Sequence, residues 1–325
     1  MIMTVLIGLA AGCASALMFA SIISGALISL LLFYLAPLPL MVTALGWGPL
    51  SATIGGIAAA IGLGAIFGLP YCIAFSLTIA VPAWWLGHLA LLGRPAPSGV
   101  SMGNAAASTA PVMEWYPVGR ILLWIAGFAA VTTAAALLTL GSDSATILGA
   151  LRRGLLRMIA GRNASSVSGE TEQWVDALVT MAPAAAAVVA MMTLTLNLWL
   201  AAKITHTSGR LHRSWPDLKS AALPPMTLVA LFVAIAFYFS GGLIAILAQI
   251  ATATLMIAYA LTGFAVLHTL TLAMKSRALW LSCTYAIVLV FGWPVIGMIG
   301  LGLADGLFGI RHRYLQRRPP ALPVS

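Results

Sequence analysis

The chain has 325 residues, 62% of them hydrophobic and 7% charged, with a formal net charge of +9 and a mean hydropathy of +1.05. A soluble domain carries about 25% charged residues, so this composition excludes water as the solvent for most of the surface. The basic residues lie in short groups beside apolar segments, the pattern of the positive-inside rule and of anionic lipid, which argues against nucleic acid as a partner.

Residues 1–93 contain no Lys, Arg, Asp or Glu. Such a run must satisfy its own backbone hydrogen bonds inside lipid, which leaves helices or closed barrels. The apolar runs are continuous rather than alternating, which disfavours a barrel. The expected fold is all-α: a polytopic integral membrane bundle of about eight to ten transmembrane segments, some short or broken, with both termini cytoplasmic. The N-terminus lacks a basic leader region and its apolar run is too long for a signal peptide, so it reads as a retained first helix.

Residues 4–35 are too long for one crossing. They read as a helix over 4–23, a bend at Ser24-Gly25 and a shorter helix to Leu35. Gly8 and Gly12, and Ala16 and Ala20, are small residues four apart, which share a helix face and admit a neighbouring backbone. Internal packing is the leading reading, and docking of a membrane subunit the sharper one. Pro37 and Pro39 are expected to break the chain. A helix follows Gly46-Trp47-Gly48-Pro49 and runs to about Phe67, with Gly56, Ala60, Gly64 and Gly68 making one side nearly smooth. Residues 71–92 form the next crossing, with Trp84, Trp85 and His88 near its end and Arg94 beyond, which marks a cytoplasmic interface. His88 reads as interfacial rather than as a ligand.

Residues 93–117 hold four prolines among Ser, Gly, Asn and Ala, a flexible cytoplasmic loop by composition. Residues 118–140 cross again. In the loop 141–175, Arg152, Arg153 and Arg157 oppose Ile147, Leu148, Leu151, Leu155, Met158 and Ile159, an amphipathic segment for the interface. Residues 177–202 look like one crossing, so that loop and the basic elbow at 203–221 belong on opposite sides. The loop sets Asp143, Glu170, Glu172 and Asp176 against its arginines; the elbow sets Asp217 alone against Lys203, Arg210, Arg213 and Lys219. Acidic residues count weakly in the rule, but they tip the placement: elbow inside, amphipathic helix outside. Asn197 is read as an interhelical hydrogen-bond donor near the cytoplasmic end.

Residues 223–239 are expected to cross outward, Gly241-Gly242 to turn, and a helix carrying Gln249 to return as far as about Ala273. Residues 278–310 are then divided into a hairpin by Gly292-Trp293-Pro294, ahead of a basic tail, 311–325. The 1–310 region reads as one polytopic domain. Both Gly-Trp-(Gly)-Pro runs precede Gly-rich helices that end in Phe-Gly, which raises an internal repeat; with 31 glycines, coincidence is the simpler account.

No constellation for catalysis stands out. There is no phosphate loop ending in Lys-Ser/Thr, the five histidines are scattered, and the three cysteines, Cys13, Cys72 and Cys283, read as small packing residues. We therefore expect a non-enzyme with no metal and no cofactor. Asn163-Ala164-Ser165 matches a glycosylation triplet, which has meaning only in a secretory pathway. Asp305 is an acid within an apolar run, by default a functional hypothesis; Arg311 and Arg313 follow within two turns, so a paired, structural carboxylate is the leading reading and proton or solute coupling the other. In the elbow, Ser208, Gly209, Arg210, Arg213, Trp215, Pro216 and Asp217 form a candidate partner-docking loop, with lipid-headgroup anchoring as the plainer alternative.

The Pro-Leu-Pro-Leu run at 37–40, Gly46-Trp47-Gly48-Pro49, the Gly55-Gly56 helix, Asn197-Leu-Trp-Leu-Ala, the Ser-Gly-Arg-Leu-x-Arg-x-Trp-Pro-Asp-Leu elbow and Gly302-Leu-Ala-Asp-Gly-Leu-Phe-Gly-Ile-Arg together resemble the uncharacterised bacterial YybS-like membrane family (domain of unknown function 2232). Residues 1–92 also resemble the substrate-binding S components of energy-coupling-factor transporters. That resemblance implies that Ala10 and Ala14 form a face toward a membrane coupling subunit; the extra helices after residue 118 depart from it. The expected role is a transporter-like subunit of the bacterial inner membrane, binding a small solute and energised by separate partners. The alternative is an envelope assembly or scaffold protein that binds other envelope proteins. Both live among anionic inner-leaflet lipids.

Overall fold

The computed structural model describes residues 1–95, 113–160, 169–217 and 221–316. Most of the expected flexible loop, the glycosylation triplet, Lys219, Arg317 and Arg318 lie outside them. The described chain is helical apart from one two-stranded ribbon. Among the described residues, seven helical spans are long and apolar enough to cross a membrane, or eight if one bent pair counts as a span. The chain is thus read as a multi-pass helical membrane protein. Its contacts group into two compact units, Met1–Ile121 with Thr193–Pro216, and Leu122–Met192 with Asp217–Ser325.

In the first unit, α1 (Ile2–Ala20) tightens into a 3₁₀ turn, Ser21–Ser24, and the chain reverses at Gly25, whose φ of 67° is one that glycine adopts without a Cβ penalty. Helices α2 (Leu27–Leu35) and α3 (Pro37–Trp47) follow. Helix α2 ends at Leu35, ahead of the expected break at Pro37, but the break is confined to Ala36 and Leu27–Trp47 still counts as a single span of 21 residues. Proline at the start of a helical segment loses no intrahelical bond, and a carbonyl loosened ahead of it is taken up from another helix, as described below. The chain resets at Gly48 (φ 92°), runs through α4 (Pro49–Phe67) and resets again at Gly68 (φ 91°). Then α5 (Leu69–Phe75), a π turn (Ser76–Ala80) and α6 (Val81–Leu91) form one span. The π turn lies where the ring of Pro82 would otherwise press on the carbonyl four residues back.

Helices α1 and α4 run parallel, glycine against backbone. A Cβ on Gly8 would collide with the Ser51 carbonyl, and one on Gly12 with the Gly55 carbonyl. The Gly8–Gly12 face is therefore spent on internal packing. The other side of α4 serves the α5–α6 span: a Cβ at Gly56 would lie 3.2 Å from the Ala80 methyl, and one at Gly64 would lie 3.0 Å from Cys72 Cβ. Ala60 is buried between these glycines. Ala10 is exposed and Ala14 half-exposed on the remaining side of α1.

In the second unit, α8 (Ser144–Ala160) follows α7 (Val118–Leu138). Ile147 is fully buried against Leu137, Ala187, Ile246 and Ile250, with Leu148 and Leu151 beside it. The expected amphipathic helix is thus anchored to a protein core by its first half, while Met158 near its end is exposed. Arg152 bonds Asp176 at 2.8 Å and Glu172 at 3.5 Å. α9 (Gly169–Thr207) contains Pro183 and serves both units.

α10 (Met226–Tyr238) turns through Gly241 and Gly242, φ 77° and 63°, into α11 (Gly242–Leu270). Next come α12 (Arg277–Phe291), α13 (Val295–Phe308) and α14 (Ile310–Gln316). The 13 residues of α10 and 15 of α12 reach about 20 and 22 Å, short of a hydrocarbon core of about 30 Å. The described spans, seven or eight, thus reach the lower end of the expected eight to ten, with α10 and α12 as shorter apolar helices beside them. α11 and α13 cross antiparallel at two glycines: a Cβ on Gly263 would meet the Met298 carbonyl, and one on Gly302 the Tyr259 carbonyl. The resembling Gly-Trp-Pro segments thus lead into helices packed oppositely, α4 parallel to α1 and α13 antiparallel to α11, which removes the case for a repeat built on them.

Candidate functional site

Two places gather polar groups, one in each unit. In the first unit, α9 ends at Thr207 and Gly209 takes φ 65°, so the amides of Arg210 and Leu211 both return to the Thr205 carbonyl, at 2.9 and 3.1 Å. This is the glycine-terminated helix end expected for a chain that must turn sharply. Ser208 Oγ donates to the Ile204 carbonyl. The turn folds the elbow back onto its own unit. Arg210 lies over the Trp47 ring, 5.1 Å from its centroid. Lys203 Nζ lies 5.4 Å from the Trp215 ring, whose edge also meets His206. Arg213 points inward: Nη1 donates to the Ala90 carbonyl and Nη2 to the Tyr116 carbonyl, both at 3.1 Å. Burial pulls its guanidinium down from the ordinary arginine value.

Of the candidate docking loop, then, Arg213 is a clamp inside the fold, whereas Lys203, Arg210 and the part-exposed Trp215 face outward. Pro216 is half-buried and Asp217 exposed. The same clamp ties the elbow to the ends of the 93–117 loop, where β1 (Gly93–Pro95) pairs antiparallel with β2 (Met113–Trp115) and Arg94 bonds Glu114 at 2.8 Å.

Asn197 is 1% exposed. Its Nδ2 donates to the Tyr34 carbonyl and to the Thr193 carbonyl, each at 2.8 Å. Ten residues separate it from Thr207, about 15 Å of helix, or half a bilayer core. Asp305 belongs to the other unit.

The second unit holds a half-open cleft of about 500 Å³ between α10, α11, α13 and α14. Tyr259, Thr262, Gly302, Asp305, Gly306, Arg311 and His312 line it, together with Pro224, Pro225 and Leu228. Its chemistry centres on a helix break. α13 ends at Gly309, φ 61°, and α14 leaves at 67°. Asp305 spans the break: Oδ1 accepts the Arg311 backbone N–H at 2.8 Å, and Oδ2 accepts Nε at 2.8 Å and Nη2 at 2.7 Å. Arg311 Nη1 donates to the Ala221 carbonyl at 2.9 Å. The two side chains are 9% and 11% exposed. A buried ion pair is tolerable only with this degree of satisfaction. Arg311, placed by sequence at the start of the basic tail and beside Asp305 as a possible partner, forms part of the buried wall, because the bend at Gly309 turns it back to Asp305.

Thr227 Oγ1 lies 2.6 Å from the Pro224 carbonyl and 2.6 Å from Tyr259 Oη. The Thr227 hydroxyl has one proton; if it goes to the carbonyl, Tyr259 is the donor to Thr227. Sequence reading missed Tyr259, Thr262 and Gly306. The available signal was the small residues Gly302 and Gly306 around Asp305. Among the described residues, no three His, Cys, Asp or Glu side chains gather as a metal site, and the three cysteines are free. No protein-family model, curated protein or solved structure matches the chain.

Proposed function

We propose that this chain is a transporter-like membrane subunit of the bacterial inner membrane, and that its solute site is the cleft of the second unit. The observation that carries the reading is the buried Asp305–Arg311 pair at the 67° break of an apolar helix, forming the wall of a cleft of about 500 Å³. Membrane transport proteins place solutes at broken helices, where backbone and charge are exposed inside the membrane. The volume falls within the range of about 300–1,000 Å³ that holds small molecules. The short helices α10, α12 and α13 give this unit the broken character that a rigid bundle lacks. The chain carries no nucleotide-hydrolysing phosphate loop, so energy would come from a separate subunit or an ion gradient. In this reading the elbow and both termini face the cytoplasm.

The test uses the full chain purified in mild detergent and analysed by native mass spectrometry. A Cβ on Gly306 would make ordinary contacts, 3.7 Å to Tyr259 and 3.8 Å to Leu228. Gly306→Ala should therefore fold and retain a small molecule, whereas Gly306→Leu should fold and lose it. Wild-type protein that holds no small molecule, but copurifies in fixed ratio with envelope-assembly proteins, would favour the scaffold reading instead.

A further inference from the structure

All charged residues of the first unit lie in two stretches: Arg94, Glu114 and Arg120, then Lys203, Arg210 and Arg213. Five are basic and one is acidic, a balance of +4. The fold brings the two stretches to one end, since Arg213 bonds carbonyls beside both Arg94 and Glu114. The turns at the other end, around Gly25 and Gly68, carry no charge. The one acid is already held by Arg94. Lys203 and Arg210 are exposed. The Arg213 Nε–H is buried without a partner. A cation near the end of α9 offsets that helix's dipole, which accounts for Lys203. It does not account for Arg210, which lies past the end over an indole, or for Arg213.

From this charge asymmetry, and from two cations each set over a tryptophan ring, we infer that the elbow end of the first unit binds the headgroups of acidic phospholipids. Lys203 and Arg210 are the contact residues, and Arg213 is a positioning residue. Tryptophan favours headgroup depth. Cations there gain from the negative surface potential of an acidic leaflet. The indoles hold the two long side chains at the level of the phosphates. Arg213, by bridging two carbonyls, fixes the turn that carries Arg210. This surface is separate from the cleft and does not depend on the solute reading.

The experiment titrates the full chain, in neutral detergent, with phosphatidylglycerol and separately with phosphatidylcholine, counting retained lipids by native mass spectrometry. Phosphatidylglycerol should be retained in preference, and less so as salt rises. Lys203→Gln with Arg210→Gln should weaken its binding by about 25-fold, roughly five-fold for each charge. Arg153→Gln with Arg157→Gln removes the same charge from the exposed face of α8 and should change it little. Arg213→Lys keeps the charge but not the two-pronged bridge, and should weaken retention while the unfolding temperature shows the chain still folded. Equal retention of the two lipids, or equal loss in the α8 variant, would overturn the proposal. So would a poly-glutamate peptide that binds the elbow end without competition from phosphatidylglycerol, which would assign an acidic protein partner instead.

Discussion

The side-chain amide of Asn197 donates to the carbonyl of Tyr34, three residues ahead of Pro37. The second unit repeats the device: Gln249 Nε2 donates at 2.9 Å to the carbonyl of Thr180, three residues ahead of Pro183. Proline removes a backbone donor and loosens the turn before it. In lipid the freed carbonyl must find a partner within the protein. Replacing either amide by leucine of similar volume should destabilise the chain by about 0.6 kcal/mol, with about 1.7 kcal/mol as the upper end. Unfolding in mixed micelles measures each loss; a Leu variant as stable as the parent would leave the amides without this role.

The α11–α13 crossing depends on absent side chains. Gly302→Ala or Gly263→Ala places a methyl against a backbone carbonyl, and backbone gives way less readily than a side chain. Overpacking of this kind costs about 1–3 kcal/mol. Gly300, on the same helix, faces open space, so Gly300→Ala should be neutral or slightly stabilising through helix propensity. Melting temperatures of the three variants should separate accordingly.

Asp305 and Arg311 must be changed together to be understood. Removing one partner strands the other charge in a buried wall, at a cost of about 3–5 kcal/mol. Asp305→Asn should thus lower the amount of folded protein, and Arg311→Met should do the same. The double variant should be more stable than the two single losses summed. Asp305→Asn that accumulates normally while losing solute retention would instead assign the carboxylate to coupling.

The Arg94 hydrogen bond and charge hold the Glu114 carboxyl below the usual carboxylate range. Its pKa is lower in the folded ribbon than in the open one. The pair therefore supports the β1–β2 ribbon above the usual carboxylate pKa, and that support fades as pH falls through the depressed folded value. Both side chains are well exposed, so the effect is small and sensitive to salt. Hydrogen exchange at the Tyr116 amide, which donates to the Leu92 carbonyl, should quicken relative to neighbouring amides as the pH falls below 4 or so. Glu114→Gln should abolish that dependence.

Much of the architecture was legible because it depends on local chemistry. A 7% charge content leaves helices in lipid as the available structure, and Gly25, Gly48, Gly68, Gly241 and Gly292 turn the chain at or beside the expected breaks, since positive φ favours glycine. The Gly8–Gly12 spacing foretold a close helix contact, though not its partner. At Pro37 the break that composition announces is confined to Ala36, and a distant asparagine takes up the Tyr34 carbonyl ahead of it. The expected crossing at 223–239 is helical over Met226–Tyr238, because an apolar run does not reveal how much of itself is helical.

The sequence by itself determined the solvent, the helical class, the turns and the one-sided charge of the first unit, all consequences of composition and backbone sterics. Only the tertiary structure decided which polar groups meet. Asp305 takes Arg311 as its partner because the chain bends at Gly309. Arg213 turns inward to two carbonyls, while Lys203 and Arg210 remain outside. Asn197 reaches a residue 163 positions away. Asp305, Arg311, Arg213 and Asn197 are buried or half-buried, where partners are set by proximity in space rather than along the chain, and an unmet hydrogen bond there costs far more than at the surface.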